Sequence, residues 1–436
     1  MSVIVRFAPS PTGLIHIGNA RTLLLNWLLR KREGGQFILR YDDTDVARSK
    51  DEYKQAIAED LAWLGIKPDR VEQQTDRTAI YQAATEKLKE MGLLYPCYET
   101  PEELEFKRNR QLARHQAPVY DRASLTMSEE QKAGRKPHWR FKLSQKPVVF
   151  EDLIRGRQEF DTAHLSDPVL IREDGTWLYT LPSVVDDLDM GITHVIRGED
   201  HVTNTAVQVE IYLALGGPVP AFAHHSLVTG ADGQGLSKRL GSLSLQSLRE
   251  DGLEPMAVAC IAALMGTPEG PEAIANMDEL ASRFDLMHLS RAPARFDEKQ
   301  LEAINAKLLH QANWEEVAGS LSAMKVTGGE AFWNAVRGNL EKLADVKIWD
   351  DVVHHDIAPV REDAEFLAKA VELLPAEPWD GTTWSQWTGA LKQATGRKGK
   401  ALFMPLRLAL TGLDHGPELA VLLPLIGRDK ALARLG

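Results

Sequence analysis

The sequence predicts an α/β nucleotide-binding fold, split by an insertion and followed by an all-helical C-terminal part. Three observations predict it. A short apolar strand runs through a turn shaped by proline and glycine into a helix within the first 33 residues. A second strand–helix–strand set recurs at residues 194–228. Beyond residue 245 the apolar spacing becomes almost wholly helical.

Each element has its own signal. Val3, Ile4, Val5 and Phe7 form the short apolar run of a buried parallel strand. Leu23, Leu24, Trp27 and Leu28 fall at helical spacing over residues 20–32, and Gly34-Gly35 ends that helix. Residues 37–41 supply the next strand, and Tyr53, Ile57, Leu61 and Leu64 mark one face of a second helix. The matching half reads as strand 194–197, helix 205–215 and strand 221–228. Short strands at 139–143 and 169–172, mixed with helices, read as an insertion dividing one fold. Phe332, Val336, Leu340 and Leu343 are spaced as one helix.

Composition bounds the rest. A chain of 436 residues has room for two to four domains. Two cysteines, Cys97 and Cys260, distant in sequence, give no sign of a disulfide framework and are too few for a cysteine-based zinc finger. No charged-then-apolar leader and no membrane-length apolar run is evident, so a cytoplasmic location is expected. The net charge of −11 does not by itself suggest a polyanionic partner. Basic clusters at Lys107, Arg108, Arg110 and Arg114, at Arg135-Lys136, and at Arg397, Lys398 and Lys400 serve equally as solvated faces or phosphate contacts. His224-His225 and His354-His355 are poorly spaced to share a metal and read as structural or surface residues.

Two segments carry chemistry. Between the first strand and helix stands Arg6-Phe7-Ala8-Pro9-Ser10-Pro11-Thr12-Gly13-Leu14-Ile15-His16-Ile17-Gly18-Asn19. It lies at the carboxyl end of a strand, where open α/β sheets bind ligands. Gly18 lets a ligand approach the backbone, the N–H groups of the helix start favour phosphate, and His16 can donate to a phosphate oxygen. Gly233-Gln234-Gly235-Leu236-Ser237-Lys238-Arg239 is a glycine-rich loop. Its lysine could close over a nucleotide and offset charge spreading over the phosphates.

Together these segments resemble the "HIGH" and "KMSKS" signatures of class I aminoacyl-tRNA synthetases, in the form used by the glutamyl branch. The likeness extends through Arg21-Thr22, Leu39-Arg40, Asp43-Thr44-Asp45 and Arg48-Ser49, and through the stretches 177–187 and 190–200. The resemblance implies that Arg6, Ala8, Ser10, Asp42, Tyr179, Ser183 and Arg197 contact glutamate. It assigns Ser10, His16, Gly18, Asp200, His201, Leu227, Val228, Lys238 and Arg239 to ATP, with His16, Gly18 and Lys238 as the catalytic core. Two arginines for two substrate carboxylates agree with the chemistry, because a guanidinium is a planar, permanently charged, bidentate partner. Asn19 replaces the last histidine of the first signature, and Gly235 replaces the first lysine of the second, so that either one phosphate contact is lost or Arg239 supplies it. Asp42 stands for a glutamate and Ser183 for an asparagine.

The resemblance further implies glutamate activation by ATP with Mg²⁺ and transfer to tRNA(Glu), with tRNA(Gln) open as a second acceptor, by a monomer. Some glutamyl enzymes hold zinc in the insertion; here residues 95–100 carry one cysteine, so no zinc and no other protein-bound metal is expected. The implied domains are a Rossmann-type catalytic domain in two halves, 1–75 and 190–245, and an acceptor-end insertion, 76–189. A helical connecting domain, 246–325, and a helical anticodon-binding region, 326–436, follow, with Arg397, Lys398 and Lys400 touching tRNA. A glutaminyl enzyme normally reads Pro-Glu-Pro-Asn where this chain has Pro9-Ser10-Pro11-Thr12, and ends in β-barrels. An inactive paralogue finds support only in Gly235 and Asp42.

Overall fold

The computed structural model describes residues 2–230, 232–234 and 243–436. The chain forms two compact units, Met1–Glu250 with Val258–Asp297, and Asp251–Ala257 with Glu298–Gly436.

In the first unit, β1 (Ile4–Phe7) leads through the first signature to α1 (Ile17–Glu33), β2 (Gln36–Tyr41), α2 (Asp51–Trp63) and β3 (Arg70–Gln73). The three strands are parallel, with Val5 opposite Phe37 and Leu39 opposite Val71. Helix α1 buries Leu23, Leu24, Leu25 and Leu28, and Gly34 closes it at φ 67°, a left-handed position that glycine adopts without a steric penalty. The chain then runs through α3 (Thr78–Glu90), β4 (Leu94–Cys97), α4 (Pro101–Ala113), α5 (Glu129–Lys132), β5 (His138–Phe141), β6 (Pro147–Asp152), β7 (Gly156–Asp161) and β8 (Val169–Ile171). Strands β4, β5 and β8 make a small antiparallel sheet, and β6 and β7 a hairpin.

The second half of the nucleotide-binding layer comprises α6 (Thr180–Asp189), β9 (His194–Gly198), α7 (Val202–Leu215) and β10 (Ala221–His225). Strand β10 lies parallel between β9 and β6. The Thr193 amide donates to the Ile4 carbonyl at 2.9 Å, bringing the start of β9 beside β1. From that seam β1, β2 and β3 extend one way and β9 and β10 the other, which creates the crevice at which such sheets bind ligands. The core behind it contains Leu181, Val184, Ile211, Tyr212 and Phe222.

Two expected elements differ. The apolar run 221–228 is not one strand: β10 ends at His225, and β11 (Val228–Gly230) pairs with β12 (Ala294–Phe296) instead of with β9. Between β11 and β12, α8 (Leu245–Glu250) follows the second signature. Periodicity cannot reveal a change of pairing partner within an apolar run. In the second unit, Phe332 and Val336 lie on the helix Gly329–Val336, but Leu340 is extended and Leu343 begins a separate short turn. Gly338 and Asn339 have poor helix propensity, and the Arg337 guanidinium is drawn away to the Ala312 carbonyl at 2.8 Å. The remaining helices, including Thr383–Thr395 and Lys400–Thr411, enclose a core built on Phe332, Trp333, Trp387 and Leu406. The indole N–H groups of Trp333 and Trp387 each find a carbonyl at 2.9 Å, those of Ala312 and Ala370.

Candidate active site

A cavity of about 720 Å³ opens at the carboxyl ends of β1, β9 and β10. Its walls are the first signature, the start of α1, and the chain on either side of α7. Of the residues assigned from sequence, Arg6, Ala8, Ser10, His16 and Gly18 line it, and so do Arg197, Asp200, His201, Leu227 and Val228. The fold therefore brings together segments about 190 residues apart in sequence.

His16 caps α1. Its Nδ1 accepts from the Gly18 amide at 3.1 Å, so the ring proton belongs on Nε2, which remains as a donor. Burial lowers the pKa of His16 and keeps the ring neutral at physiological pH. A Cβ on Gly18 would stand 2.9 Å from His16 Cε1, so only glycine leaves this arrangement undisturbed. On the opposite wall a Cβ on Gly198 would lie 2.5 Å from Asp200 Oδ1 and 3.2 Å from Leu227. Leu227 and Val228 form the slot beside it.

Two arginines reach the cavity, and their surroundings differ. Arg6, at the end of β1, is clamped by Asp187 through Nε at 3.1 Å and a terminal nitrogen at 3.3 Å. Asp187 also takes Arg40 at 2.8 Å and the Tyr212 hydroxyl at 3.0 Å. Burial opposes ionisation of Asp187, but the Arg6 and Arg40 guanidiniums outweigh it and hold its pKa below the ordinary 3.8. Arg40 is fully buried and forms a two-point pair with Asp42, at 2.6 and 3.1 Å.

Arg197 is also buried, yet no carboxylate among the described residues pairs with it. It donates to Tyr179 Oη at 3.2 Å, Thr205 Oγ1 at 2.6 Å, Gln208 Oε1 at 2.6 Å and His224 Nε2 at 3.2 Å. All four acceptors are neutral groups, so they fix the guanidinium without cancelling its charge. A buried cation facing a polar cavity in this state calls for an anionic ligand.

Asp42 and Ser183 stand behind the cavity wall. Both Asp42 oxygens are occupied by Arg40, and burial raises its pKa to about 6 against that pull. Ser183 is fully buried, with Oγ 3.5 Å from Arg40. Tyr179 joins the site through Arg197, and its ring lies 5.7 Å from that of His201. Lys238 and Arg239 fall outside the described residues. In the second unit, Arg397 pairs with Asp363 at 2.5 Å and stacks over Phe366, while Lys398 and Lys400 are exposed beside it.

The comparisons with known proteins bear on the whole chain. Residues 2–303 match the family described as tRNA synthetases class I (E and Q), catalytic domain, and residues 344–436 match the anticodon binding domain family. The chain is 57% identical over 441 residues to a glutamate–tRNA ligase 2 of Methylorubrum populi, covering 100% of this chain and 98% of the relative. It is 56% identical to a glutamate–tRNA ligase 1 of Brucella ovis, with both chains fully covered. This chain belongs to the glutamyl-tRNA synthetase family. The crystal structure of a glutamate–tRNA ligase from Elizabethkingia meningosepticum, in complex with its amino acid, superimposes with a TM-score of 0.86 at 29% identity, covering 100% of this chain and 98% of that one.

The residues that hold the arginines were not singled out from the sequence. Asp187 is one position among many in the stretch 177–187, and Asp152, Thr205 and Gln208 carry no local signal. His224 and His225 are both buried, which settles for structural over surface. They point to opposite faces of β10, His224 toward Asp152 and Arg197 and His225 toward Thr22 at 2.9 Å. Strand alternation would have separated them had the burial of both faces been known. Among the described residues no cluster of three or more histidine, cysteine or acidic groups is arranged to hold a metal ion.

Proposed function

We propose that this chain joins L-glutamate to the 3′-terminal adenosine of tRNA(Glu) in two steps, with Mg²⁺-ATP as co-substrate. The glutamate α-carboxylate attacks the α-phosphate, forming glutamyl-adenylate and releasing pyrophosphate. The 2′-hydroxyl of the terminal adenosine then attacks the mixed anhydride and AMP leaves. The observation that carries this reading is Arg197, a buried guanidinium held only by neutral acceptors and facing the same cavity as the His16 cap.

Arg6 and Arg197 take the two substrate carboxylates, with Ala8, Ser10 and Tyr179 shaping the glutamate pocket. Ser183 and Asp42 support it from behind, where Asp42 shares its negative charge between Arg40 and the substrate ammonium. His16 donates from Nε2 to a phosphate oxygen, Gly18 admits the phosphates to the helix start, and Ser10 completes that side. Leu227 and Val228 flank the adenine, and Asp200 and His201 contact the nucleotide. Lys238, with Arg239, offsets the charge that develops on the leaving pyrophosphate. Arg397, Lys398 and Lys400 contact tRNA phosphates, which position RNA without reading bases. No covalent enzyme intermediate is required; positioning and preorganised charge supply the acceleration. Family membership supports a cytoplasmic monomer.

The test is aminoacylation with labelled glutamate on separate tRNA(Glu) and tRNA(Gln) transcripts from the source organism. Charging of tRNA(Glu) is the expected result, and charging of tRNA(Gln) as well would widen its role. Charging of neither, with controls working, would refute the proposal in favour of an inactive paralogue.

A further inference from the structure

The way Arg197 is held has a consequence for residues far from the substrate. Its Nε–H points at His224 Nε2, 3.2 Å away, a nitrogen that also lies 3.0 Å from Thr205 Oγ1. An imidazole nitrogen accepts a hydrogen bond only when it carries no proton, so the His224 proton must reside on Nδ1. That nitrogen lies 2.6 Å from Asp152 Oδ2, and both side chains are fully buried. Asp152 is itself immobilised: its Oδ1 accepts from the Ile154 amide at 3.0 Å and the Arg155 amide at 2.8 Å, at the turn leaving β6. The parallel pairing of β6 with β10, Asp152 opposite Phe222, sets the two side chains against each other. Phe222 stacks on the imidazole at 6.1 Å, and Phe150 closes another side.

We propose that the Asp152–His224 pair positions Arg197 for a substrate carboxylate. Asp152 locks His224 in the Nδ1–H tautomer, and Nε2 then aims the guanidinium into the cavity. The carboxylate stands one side chain away from Arg197, so it orients the arginine without competing with glutamate for it. The inference rests on reading Arg197 as a carboxylate-binding residue. Burial lowers the pKa of His224, which agrees with a neutral ring.

The test exploits the fixed orientation of Asp152. In Asp152→Asn the amide oxygen must stay at the Oδ1 position, facing the Ile154 and Arg155 amides. Its NH₂ then opposes the His224 backbone amide, which keeps its longer bond to Oδ1, and confronts His224 Nδ1, forcing the ring proton to Nε2 and setting donor against donor at Arg197. Aminoacylation kinetics on the full chain should show KM for glutamate raised about tenfold or more, with KM for ATP and kcat within about twofold of wild type. His224→Asn and His224→Gln provide an independent measurement should Asp152→Asn fail to fold. The Gln side chain places an acceptor where Nε2 stood and should hold KM for glutamate within about threefold of wild type, whereas Asn cannot reach and should raise it about tenfold. Arg197→Ala is the reference. If it leaves KM for glutamate unchanged, the carboxylate reading itself falls. If it raises KM while Asp152→Asn does not, or if the Gln and Asn variants behave alike, the positioning role alone is overturned.

Discussion

Asp187→Asn is the substitution from which the buried charge cluster predicts most. Four donors converge on this carboxylate, two per oxygen. Oδ1 takes Arg6 Nε at 3.1 Å and Arg40 at 2.8 Å, and Oδ2 takes Arg6 at 3.3 Å and Tyr212 at 3.0 Å. Whichever way an asparagine amide turns, its NH₂ meets two of those donors, and one negative charge between two buried arginines is lost. Two charge-assisted hydrogen bonds at about 1.5–3 kcal/mol each give roughly 3–6 kcal/mol. Removing one side of a buried ion pair costs about 3–5 kcal/mol by a separate route. At about 2–4 °C per kcal/mol for domains of this order, thermal unfolding at pH 7 should fall by at least ~6 °C. Circular dichroism melts of variant and wild type would measure it. The sign with pH is fixed as well. The folded-state pKa of Asp187 lies below 3.8, so its stabilisation is present above that value and is lost as pH falls through the folded pKa. The gap between variant and wild type should therefore close in acid below pH 3.8. A shift under ~3 °C at pH 7 would refute the view that the Asp187 charge holds both arginines in place.

Three further outcomes are expected. Lys238→Ala should lower adenylate formation by about two orders of magnitude or more while leaving tRNA binding largely intact; near-normal turnover in ATP–pyrophosphate exchange would remove that lysine from its role. Gly18→Ala places a Cβ 2.9 Å from His16 Cε1 and must displace the ring, so the same exchange assay should fall roughly tenfold or more, without a comparable loss in melting temperature. Asp60 is fully buried in α2, its carboxylate lacks a hydrogen-bond partner among the described residues, and Arg249 stands 3.5 Å away. Burial, with the neighbouring Glu59 charge and against the pull of Arg249, raises its pKa to about 6. A raised carboxyl pKa means that stability declines as pH rises from 3.8 through 6. Asp60→Asn should thus melt higher than wild type at pH 8, by the equivalent of about 1–3 kcal/mol, and lose that advantage at pH 4. Equal melting temperatures at both values would show that the ionised carboxylate is not strained there.

Local signals determined a great deal. The strand–turn–helix order of residues 3–32, the helix stop at Gly34 and the two signature segments are contiguous, so their spacing and turn chemistry can be read without knowing what packs against them. The family likeness followed from those strings and carried the reaction class with it. The same locality limits the reading where the chain changes partners, as at 226–228, where an apolar run passes from one strand pairing to another, and at 337–340, where one glycine and one asparagine ended a helix that the apolar spacing continued.

Only tertiary structure decided how the charges pair. Arg6 meets Asp187 across 181 residues, Arg40 meets the same carboxylate across 147, and His224 meets Asp152 across 72. With 51 basic and 62 acidic side chains, the sequence permits thousands of such pairs and ranks none of them. The reason is physical. The strength of a charge pair depends on burial and on the relative placement of distant segments, and neither is encoded in the residues themselves. So Arg6 and Arg197, equivalent as letters, became different groups in the fold. One shares an internal carboxylate with Arg40, and the other is held by neutral acceptors alone.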